Sequence, residues 1–406
     1  MNTAVVSSTA NPCPGSARLT TYDVSLINKA LPTAPFPDTS GVIYALTSDV
    51  AAIQAGTKAV EPLVLRANQG DCLRVTLHNE TTPGSLYGGT RAGFDAGQVW
   101  RNQQLASGAA VGLNPDTTVP VGSTITYNYY TDGLAGTMLF QNLGSVGSLR
   151  HGAYGMLIVE PFGSTWSDSV TNATLTSTRT ATQAIIRASN GFRFREFALT
   201  MGTTDQQYAR SIVPYIEMIA GIGINSPTGA NIPAAPVSGA PPGTANNAGS
   251  FDKGFNNVNY HTEALTERLG LTANVADYTT VTVNGGYGLA FSSNQFGDPD
   301  TPVLRAFKGD LVAFRIGVGA SDQFHSFTVG GHAFPLDWFM PNSQILAART
   351  ITAGETLDLL PVGGAGGPSG YTGDYLYGDA RQPFQEAGMW GIFRVQPTGS
   401  GGIAAL

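Results

Sequence analysis

Five histidines and two cysteines are the side chains of this 406-residue chain with the clearest capacity for metal or acid–base chemistry. The histidines are His78, His151, His261, His325 and His332. None lies in a His-Glu-x-x-His pattern, and neither cysteine has a second cysteine or a histidine at the spacing of a zinc site. The Gly-x-Ser-x-Gly of serine hydrolases and the Walker phosphate loop are also missing from the sequence. Zinc, serine-nucleophile and nucleotide chemistry are therefore not predicted.

The cysteines, Cys13 and Cys72, predict one disulfide if the chain folds in an oxidising compartment, where such bridges form and persist. Two buried free thiols are equally compatible with the sequence. No basic and apolar leader opens the chain, so we expect that any signal peptide has been removed.

The charge balance excludes two classes of partner. The chain has 28 acidic against 21 basic residues, a net charge of −7, whereas nucleic acids and anionic membranes are bound by basic surfaces. The most apolar stretch, Ser211–Asn225, contains Pro214 and Glu217 and is shorter than the roughly 20 residues that span a bilayer. We therefore predict neither a nucleic-acid partner nor a membrane span.

Three sequence patterns occur twice, in the same order and at similar offsets of 239, 232 and 236 residues. The pairs are Val64–Leu77 with Val303–Ile316, Gly122–Tyr127 with Gly354–Leu359, and Gly155–Pro161 with Gly391–Pro397. Such a period is too long for a solenoid repeat and indicates two homologous domains.

Alternation of apolar and polar residues in these patterns predicts strands. In Leu73-Arg-Val-Thr-Leu-His78 every second residue is apolar, the period of a strand with one face on a core. A Gly-Asp turn precedes this strand and its repeat, so Asp71 and Asp310 are expected to play equivalent turn roles. We predict an all-β chain with two duplicated β-sandwich domains.

The predicted domains are residues 1–165 and 261–406, joined by a connecting region, 166–260. The first strands of the second domain are expected to begin near residue 190. The segment Gly221–Ser250 is rich in Pro, Gly, Ala and Asn and predicts a loop. Short helices are predicted over Tyr208–Ala220 and His261–Leu269.

Segments in both halves resemble the multicopper oxidase family. Gly136-Thr-Met-Leu-Phe-Gln-Asn-Leu143 is similar to the family's Gly-Thr-x-Trp-Tyr-His-x-His, and His325-Ser-Phe-Thr-Val-Gly-Gly-His-Ala-Phe334 to its His-Pro-x-His-Leu-His-Gly-His-x-Phe. Glu386–Val395 resembles the tail after the family's His-Cys-His motif. The segments Gly373–Asp379 and Phe296–Pro302 resemble the bacterial manganese-oxidase-like branch. The resemblance covers about residues 12–161 and 190–397, and it implies cupredoxin-like Greek-key domains.

The resemblance also implies a copper apparatus of about ten histidines and one cysteine thiolate. Five histidines cannot supply it. Gln141 and Leu143 stand where the first domain should hold a histidine pair, and Thr328 and Gly330 replace ligands of the trinuclear cluster in the second.

At the type 1 copper position the resemblance places Asp379 where the ligating cysteine should be and Phe384 where the second histidine should be. The histidines that flank the cysteine in the family correspond to Gly378 and Ala380. His325 and the axial Met389 are retained. Without a thiolate, a blue copper centre is not expected.

The remaining candidate metal ligands are His325, Asp379, Met389 and His332. They differ in hardness and include no cysteine, so copper would bind weakly if at all. Two of them also have an ordinary structural explanation: His332 hydrogen-bonding a carbonyl in a turn, and Met389 packing in the core. His78 alternates with apolar neighbours and is expected to face water.

Two functional hypotheses follow. The first is a multicopper-oxidase-like protein without an intact copper centre or other cofactor, located outside the cell or on its surface, with a structural, binding or self-assembling role as a homo-oligomer or filament. The alternative is a copper-dependent oxidoreductase of reduced copper content, acting on a metal ion or a phenol. The amount of copper bound per chain distinguishes these two hypotheses.

Overall fold

The computed structural model describes eight segments of the chain. These are residues 11–33, 38–85, 89–133, 135–145, 147–203, 256–269, 287–321 and 323–406. The predicted helix at Tyr208–Ala220 and the predicted loop at Gly221–Ser250 lie outside the described residues.

Ten strands build the N-terminal sandwich. They are β1 (Leu19–Asn28), β2 (Val42–Leu46), β3 (Leu63–Asn68), β4 (Cys72–Asn79), β5 (Arg91–Ala92), β6 (Trp100–Arg101), β7 (Val119–Pro120), β8 (Thr124–Tyr130), β9 (Gly136–Gln141) and β10 (Tyr154–Glu160). One sheet has the order β2-β1-β4-β8-β6, and the facing sheet has the order β3-β10-β9. Strands β5 and β7 pair separately.

The C-terminal sandwich contains the remaining described strands. They are β11 (Thr165–Asp168), β12 (Gln183–Arg187), β13 (Arg193–Thr203), β14 (Asn256–Val258), β15 (Leu304–Phe307), β16 (Val312–Ala320), β17 (His325–Val329), β18 (Phe334–Pro335), β19 (Ile345–Leu346), β20 (Ala348–Ile351), β21 (Thr356–Leu359), β22 (Gly373–Asp379) and β23 (Trp390–Gln396). One sheet has the order β11-β12-β13-β16-β21, with β14 beside β13, and the other has the order β15-β23-β22-β17-β20.

Helices in the described segments are short. The α-helices are Val50–Gln54, Leu265–Arg268, Ser293–Phe296 and Gln382–Glu386, and the 3₁₀-helices are Thr47–Asp49, Ser148–His151 and Tyr287–Phe291. The predicted helix at His261–Leu269 is thus observed only over its second half. No helix among the described residues is long and apolar enough to cross a membrane.

The duplication is visible in the pairing of the strands. Strand β4 lies between β1 and β8, as β16 lies between β13 and β21, and β1 and β13 run parallel to these partners. Strand β10 lies between β3 and β9, as β23 lies between β15 and β22. The repeated sequence patterns therefore occupy equivalent strands, and the prediction of an all-β chain built as a duplicated sandwich is confirmed.

One detail of packing is also repeated. Gly155 of β10 faces Phe140 across the sheet, and Gly391 of β23 faces Tyr377. A Cβ atom at Gly155 would overlap the Phe140 ring, and one at Gly391 would overlap the Tyr377 ring. Glycine is required at both places because an aromatic ring of the neighbouring strand covers the backbone.

Part of the predicted connecting region belongs to the C-terminal sandwich. Strands β11 and β12 pair with each other, and β12 pairs with β13, which is parallel to β16. Strand β14 also pairs with β13. The residues at which each domain begins and ends stay a prediction.

Each sandwich has its own apolar core. The N-terminal core is centred on Phe94 and Phe140, whose rings stack at 4.5 Å. The C-terminal core is centred on Phe314, whose ring contacts Phe393 at 5.4 Å edge to face and Phe197 at 5.6 Å.

Candidate functional site

The strand pairing of the C-terminal sandwich brings the predicted type 1 copper residues together. His325 begins β17 and Asp379 ends β22, and these strands are antiparallel with Phe327 opposite Asp379. The short helix Gln382–Glu386 follows β22 and supplies Phe384, and Met389 precedes β23. The side chains of His325, Asp379, Phe384 and Met389 are all buried.

His325 and Asp379 form a closed hydrogen-bonded pair. The Nδ1 atom of His325 lies 2.7 Å from Oδ2 of Asp379, and its Nε2 atom lies 2.8 Å from Oγ of Ser321. The second carboxylate oxygen, Oδ1, accepts the backbone N–H groups of Ser326 at 3.0 Å and Arg381 at 2.9 Å. Both imidazole nitrogens and both carboxylate oxygens are therefore already engaged within the protein.

Phe384 fills the space beside this pair. Its ring centroid lies 4.8 Å from that of His325, and the Arg381 guanidinium lies over the ring at 4.4 Å from the centroid. Met389 is tied into the same place by its backbone, since its carbonyl accepts the Asp379 N–H at 2.9 Å and its N–H donates to Phe384 at 3.0 Å. The position is packed with protein atoms.

This donor set does not fit a type 1 copper ion. The site needs a thiolate and two imidazoles with free nitrogen lone pairs. At the position that the resemblance assigns to the thiolate, the structure has a carboxylate held by two backbone N–H groups. At the position that it assigns to the second imidazole, the structure has a phenyl ring. Among the residues that the structure describes, no group of three or more His, Cys, Asp or Glu side chains is placed to hold a metal ion.

Comparison with known proteins adds to this geometry. No protein-family profile matches the chain, and no curated protein matches its sequence. Solved structures do match. A multicopper oxidase aligns with a TM-score of 0.53 and 15% identity over 95% of this chain and 92% of its own. Copper nitrite reductase from Nitrosomonas europaea aligns with a TM-score of 0.52 and 12% identity over 94% of this chain and 95% of its own. A blue copper oxidase from the same organism aligns with a TM-score of 0.50 and 15% identity over 93% of this chain and 86% of its own.

The chain has the cupredoxin-like fold of the multicopper oxidases. Identities of this size establish the fold alone, and they confirm the expected cupredoxin-like sandwiches. The more specific resemblance to a manganese-oxidase-like branch stays a prediction.

His332 contacts a different group of residues. Its Nδ1 lies 2.9 Å from the Gly330 carbonyl and its Nε2 accepts the Gly366 N–H at 3.1 Å, so the ring is neutral with its proton on Nδ1. Burial lowers its pKa below the usual range. The ring packs against Tyr375 and Phe393. His332 thus has the carbonyl hydrogen bond expected from its turn, and it makes none of its polar contacts with His325, Asp379 or Met389.

The residues that the sequence resemblance aligns with ligands of the trinuclear cluster have other contacts. Leu143 is exposed, and the Thr328 hydroxyl donates to the Ala347 carbonyl at 3.0 Å. Gly378 has φ of 142°, and a Cβ atom there would overlap the Met389 carbonyl oxygen. A histidine at this position would therefore require the backbone to move. His78, expected to face water, is partly exposed and lies 3.2 Å from Asp23.

A buried ionic cluster joins the two sandwiches, and sequence reasoning missed it. Arg66 of β3 donates to Oε1 of Glu196 in β13, at 2.9 Å from Nε and 2.7 Å from Nη2. Arg315 of β16 lies 3.0 Å from Glu196, 3.2 Å from Glu160 and 3.0 Å from Asp358. We call these five residues the interdomain ionic cluster.

The two glutamates of this cluster have pKa values that shift in opposite directions. Burial and the charge of Glu196 raise the pKa of Glu160 well above its usual range. Burial also disfavours the charge of Glu196, but Arg66, the hydrogen bond from Glu160 and Arg315 outweigh it and lower the pKa of Glu196 to about 2. Two guanidinium groups face three carboxyl groups in this cluster, and of the two glutamates it is Glu160 whose ionised form is disfavoured.

The sequence did carry a signal for this cluster. Arg66 interrupts the apolar run Leu63-Val-Leu, and Glu160 ends Met156-Leu-Ile-Val. Ionisable residues inside apolar strands are rarely buried without a partner. The signal predicts that partners exist, but it does not say which residues they are.

Proposed function

We propose that this protein is a multicopper-oxidase-like protein whose type 1 copper position has become packing, and that it acts outside the cell as a binding or structural protein rather than as an oxidase. The observation that carries the proposal is the His325–Asp379 pair, in which all four polar atoms have hydrogen-bond partners within the chain. A copper ion there would have to displace Ser321 from His325 and the Phe384 ring from its contact.

The extracellular part of the proposal is supported by the bond between Cys13 and Cys72. A disulfide of this kind persists in oxidising compartments and is rare where glutathione keeps thiols reduced. Self-assembly into an oligomer or filament belongs to the same proposal, and negative-stain imaging of the purified protein tests it. A field of single monomers would contradict it.

Copper titration tests the loss of the centre. The parent protein, the Asp379→Cys/Phe384→His variant and the His325→Ala variant are each reconstituted with copper, dialysed and analysed for metal and for absorption. The parent is expected to keep well below one equivalent and to stay colourless. The double variant is expected to turn blue, because it restores the thiolate and the second imidazole beside His325 and Met389.

The proposal would be overturned if the parent bound one equivalent of copper and His325→Ala lost it, while circular dichroism showed both proteins folded. That result would instead support a copper-dependent oxidoreductase.

A further inference from the structure

A cavity of about 360 Å³ lies where the two sandwiches meet, beside the interdomain ionic cluster. The N-terminal sandwich contributes Gly136 of β9 and Val159 and Glu160 of β10. The C-terminal sandwich contributes most of the wall, from the segments 188–194, 311–315, 335–338 and 360–362. Pockets of roughly 300–1,000 Å³ are the size that encloses small organic ligands.

The walls of this cavity are apolar and aromatic. Phe192, Phe194 and Trp338 present three aromatic rings to it, and Leu311 and Val362 complete the mouth. Phe192, Trp338 and Leu311 are 48%, 49% and 43% exposed, respectively. Large apolar side chains that stay exposed around one concave site indicate a binding surface rather than scattered surface residues.

The two ionisable side chains that line the cavity, Arg315 and Glu160, are engaged in the interdomain ionic cluster. Arg315 directs its guanidinium nitrogens to Glu196, Glu160 and Asp358. Glu160 is the other ionisable residue lining the cavity, and burial and the charge of Glu196 raise its pKa. A charged ligand would lose its hydration here without gaining a counter-ion, which is costly in an apolar site.

We propose that this cavity binds a neutral aromatic small molecule in contact with Trp338, Phe192 and Phe194. The three rings favour stacking or edge-to-face contact with another aromatic ring. The cavity is not lined by His325, Asp379, Phe384 or Met389. The inference therefore goes beyond the proposed loss of copper and does not depend on it.

Two related probes test the ligand class. N-phenyl-1-naphthylamine is neutral, whereas 8-anilino-1-naphthalenesulfonate carries nearly the same ring system with a sulfonate. The parent protein is expected to bind the neutral probe saturably, with enhanced fluorescence, and to bind the anionic probe at least about tenfold more weakly because the floor has no free cation among its described residues.

Variants then locate the site. Trp338→Ala and Phe192→Ala are expected to weaken binding of the neutral probe by about tenfold each, since truncating a central aromatic anchor removes much of the contact energy. Phe324→Ala is the matched control, because Phe324 is 64% exposed and does not line the cavity. Its affinity should equal that of the parent.

Three outcomes would overturn the proposal. These are no saturable binding of the neutral probe, equal affinity for both probes, and binding that survives Trp338→Ala and Phe192→Ala combined. Because Trp338 and Phe192 are half exposed, neither variant is expected to unfold the protein, and a circular dichroism spectrum for each confirms that it is folded.

Discussion

The Gly-Asp turns before β4 and before β16 share one backbone hydrogen bond but are stabilised by different neighbouring contacts. In the N-terminal sandwich, Oδ2 of Asp71 accepts the N–H of Asn68 at 2.7 Å. In the C-terminal sandwich, Oδ2 of Asp310 accepts the N–H of Phe307, also three residues earlier, at 2.9 Å. These bonds confirm the expected equivalence of the two aspartates. Each carboxylate also forms an ion pair with an arginine, Arg18 for Asp71 and Arg195 for Asp310.

The supports differ in burial. Arg18, the partner of Asp71, is 53% exposed, whereas Arg195, the partner of Asp310, is completely buried. Beside Asp71, Cys72 is bridged to Cys13. Beside Asp310, Leu311 stands at the position of Cys72, and the Arg195 guanidinium reaches the Ala404 carbonyl. A duplicated backbone thus keeps its turn while each copy secures it with different chemistry.

The largest expected effect is at Phe384, which has no aromatic counterpart in the other half. The repeated segments Gly155–Pro161 and Gly391–Pro397 are offset by 236 residues, and the same offset aligns Phe384 with Ser148. Ser148 is a buried serine that accepts a hydrogen bond from the side chain of Asn142. Phe384→Ala should lower the free energy of unfolding by about 3–5 kcal/mol because it opens a cavity beside His325. Chemical denaturation measures this. A loss below about 1 kcal/mol would contradict the packed position.

The disulfide supports only the N-terminal sandwich. Its loop spans 59 residues, so replacing Cys13 and Cys72 by alanine should cost about 4 kcal/mol in the chain-entropy model. Thermal unfolding with and without reductant checks the value. The same reductant should leave the double variant unchanged. Two thiols labelled in the denatured, unreduced parent would show that the bridge is not formed.

The two turn aspartates should differ in energy although their bonds match. Asp310→Ala should cost about 3 kcal/mol, since it leaves Arg195 as a buried charge without its carboxylate. Asp71→Ala should cost about 1–2 kcal/mol, because the exposed Arg18 can turn to water and mainly the Asn68 N–H loses its acceptor. Denaturant unfolding of both variants tests the order. Equal losses would mean that burial of the arginine has no effect.

The smallest effect is expected at Glu160, the contribution of the N-terminal sandwich to the interdomain ionic cluster. Glu160→Gln should change stability at pH 5 by less than about 1 kcal/mol, because glutamine keeps the shape and hydrogen bonds of a protonated carboxyl group. Glu196→Gln, its matched control on the other sandwich, should destabilise clearly because it removes the charge that both arginines share.

These two glutamates also predict opposite pH dependences. The raised pKa of Glu160 gives stability that is full below its ordinary value of 4.5 and is lost as pH rises through the folded-state pKa. The lowered pKa of Glu196 gives stability that is full above 4.5 and is lost as pH falls towards about 2. Unfolding free energies between pH 3 and 8 should therefore decline less at high pH in Glu160→Gln than in the parent. An unchanged profile would show that Glu160 is ionised in the folded protein.

Local sequence patterns were sufficient to predict the strands and the duplication of the domain. Alternation in Leu73–His78 predicts one buried face whatever lies on it, and the Gly-Asp turns recur because the backbone needs the same bend twice. The resemblance further identified His325, Asp379, Phe384 and Met389 as neighbours, since each is tied to a strand end that the fold brings together. The helix expected from His261 was too long, because only Leu265–Arg268 forms one.

The sequence by itself determined the all-β architecture and its repetition, since these depend on residue types and short-range periodicity. It also places an aspartate, Asp379, where the family resemblance expects the copper-ligating cysteine. Only the tertiary structure decided which charges meet. Arg66 and Glu196 are 130 residues apart, and Glu160 and Arg315 are 155 apart, on strands of different sandwiches. Their pairing, the raised pKa of Glu160 and the apolar cavity beside them depend on how two separately packed cores are placed against each other, and no local pattern encodes that placement.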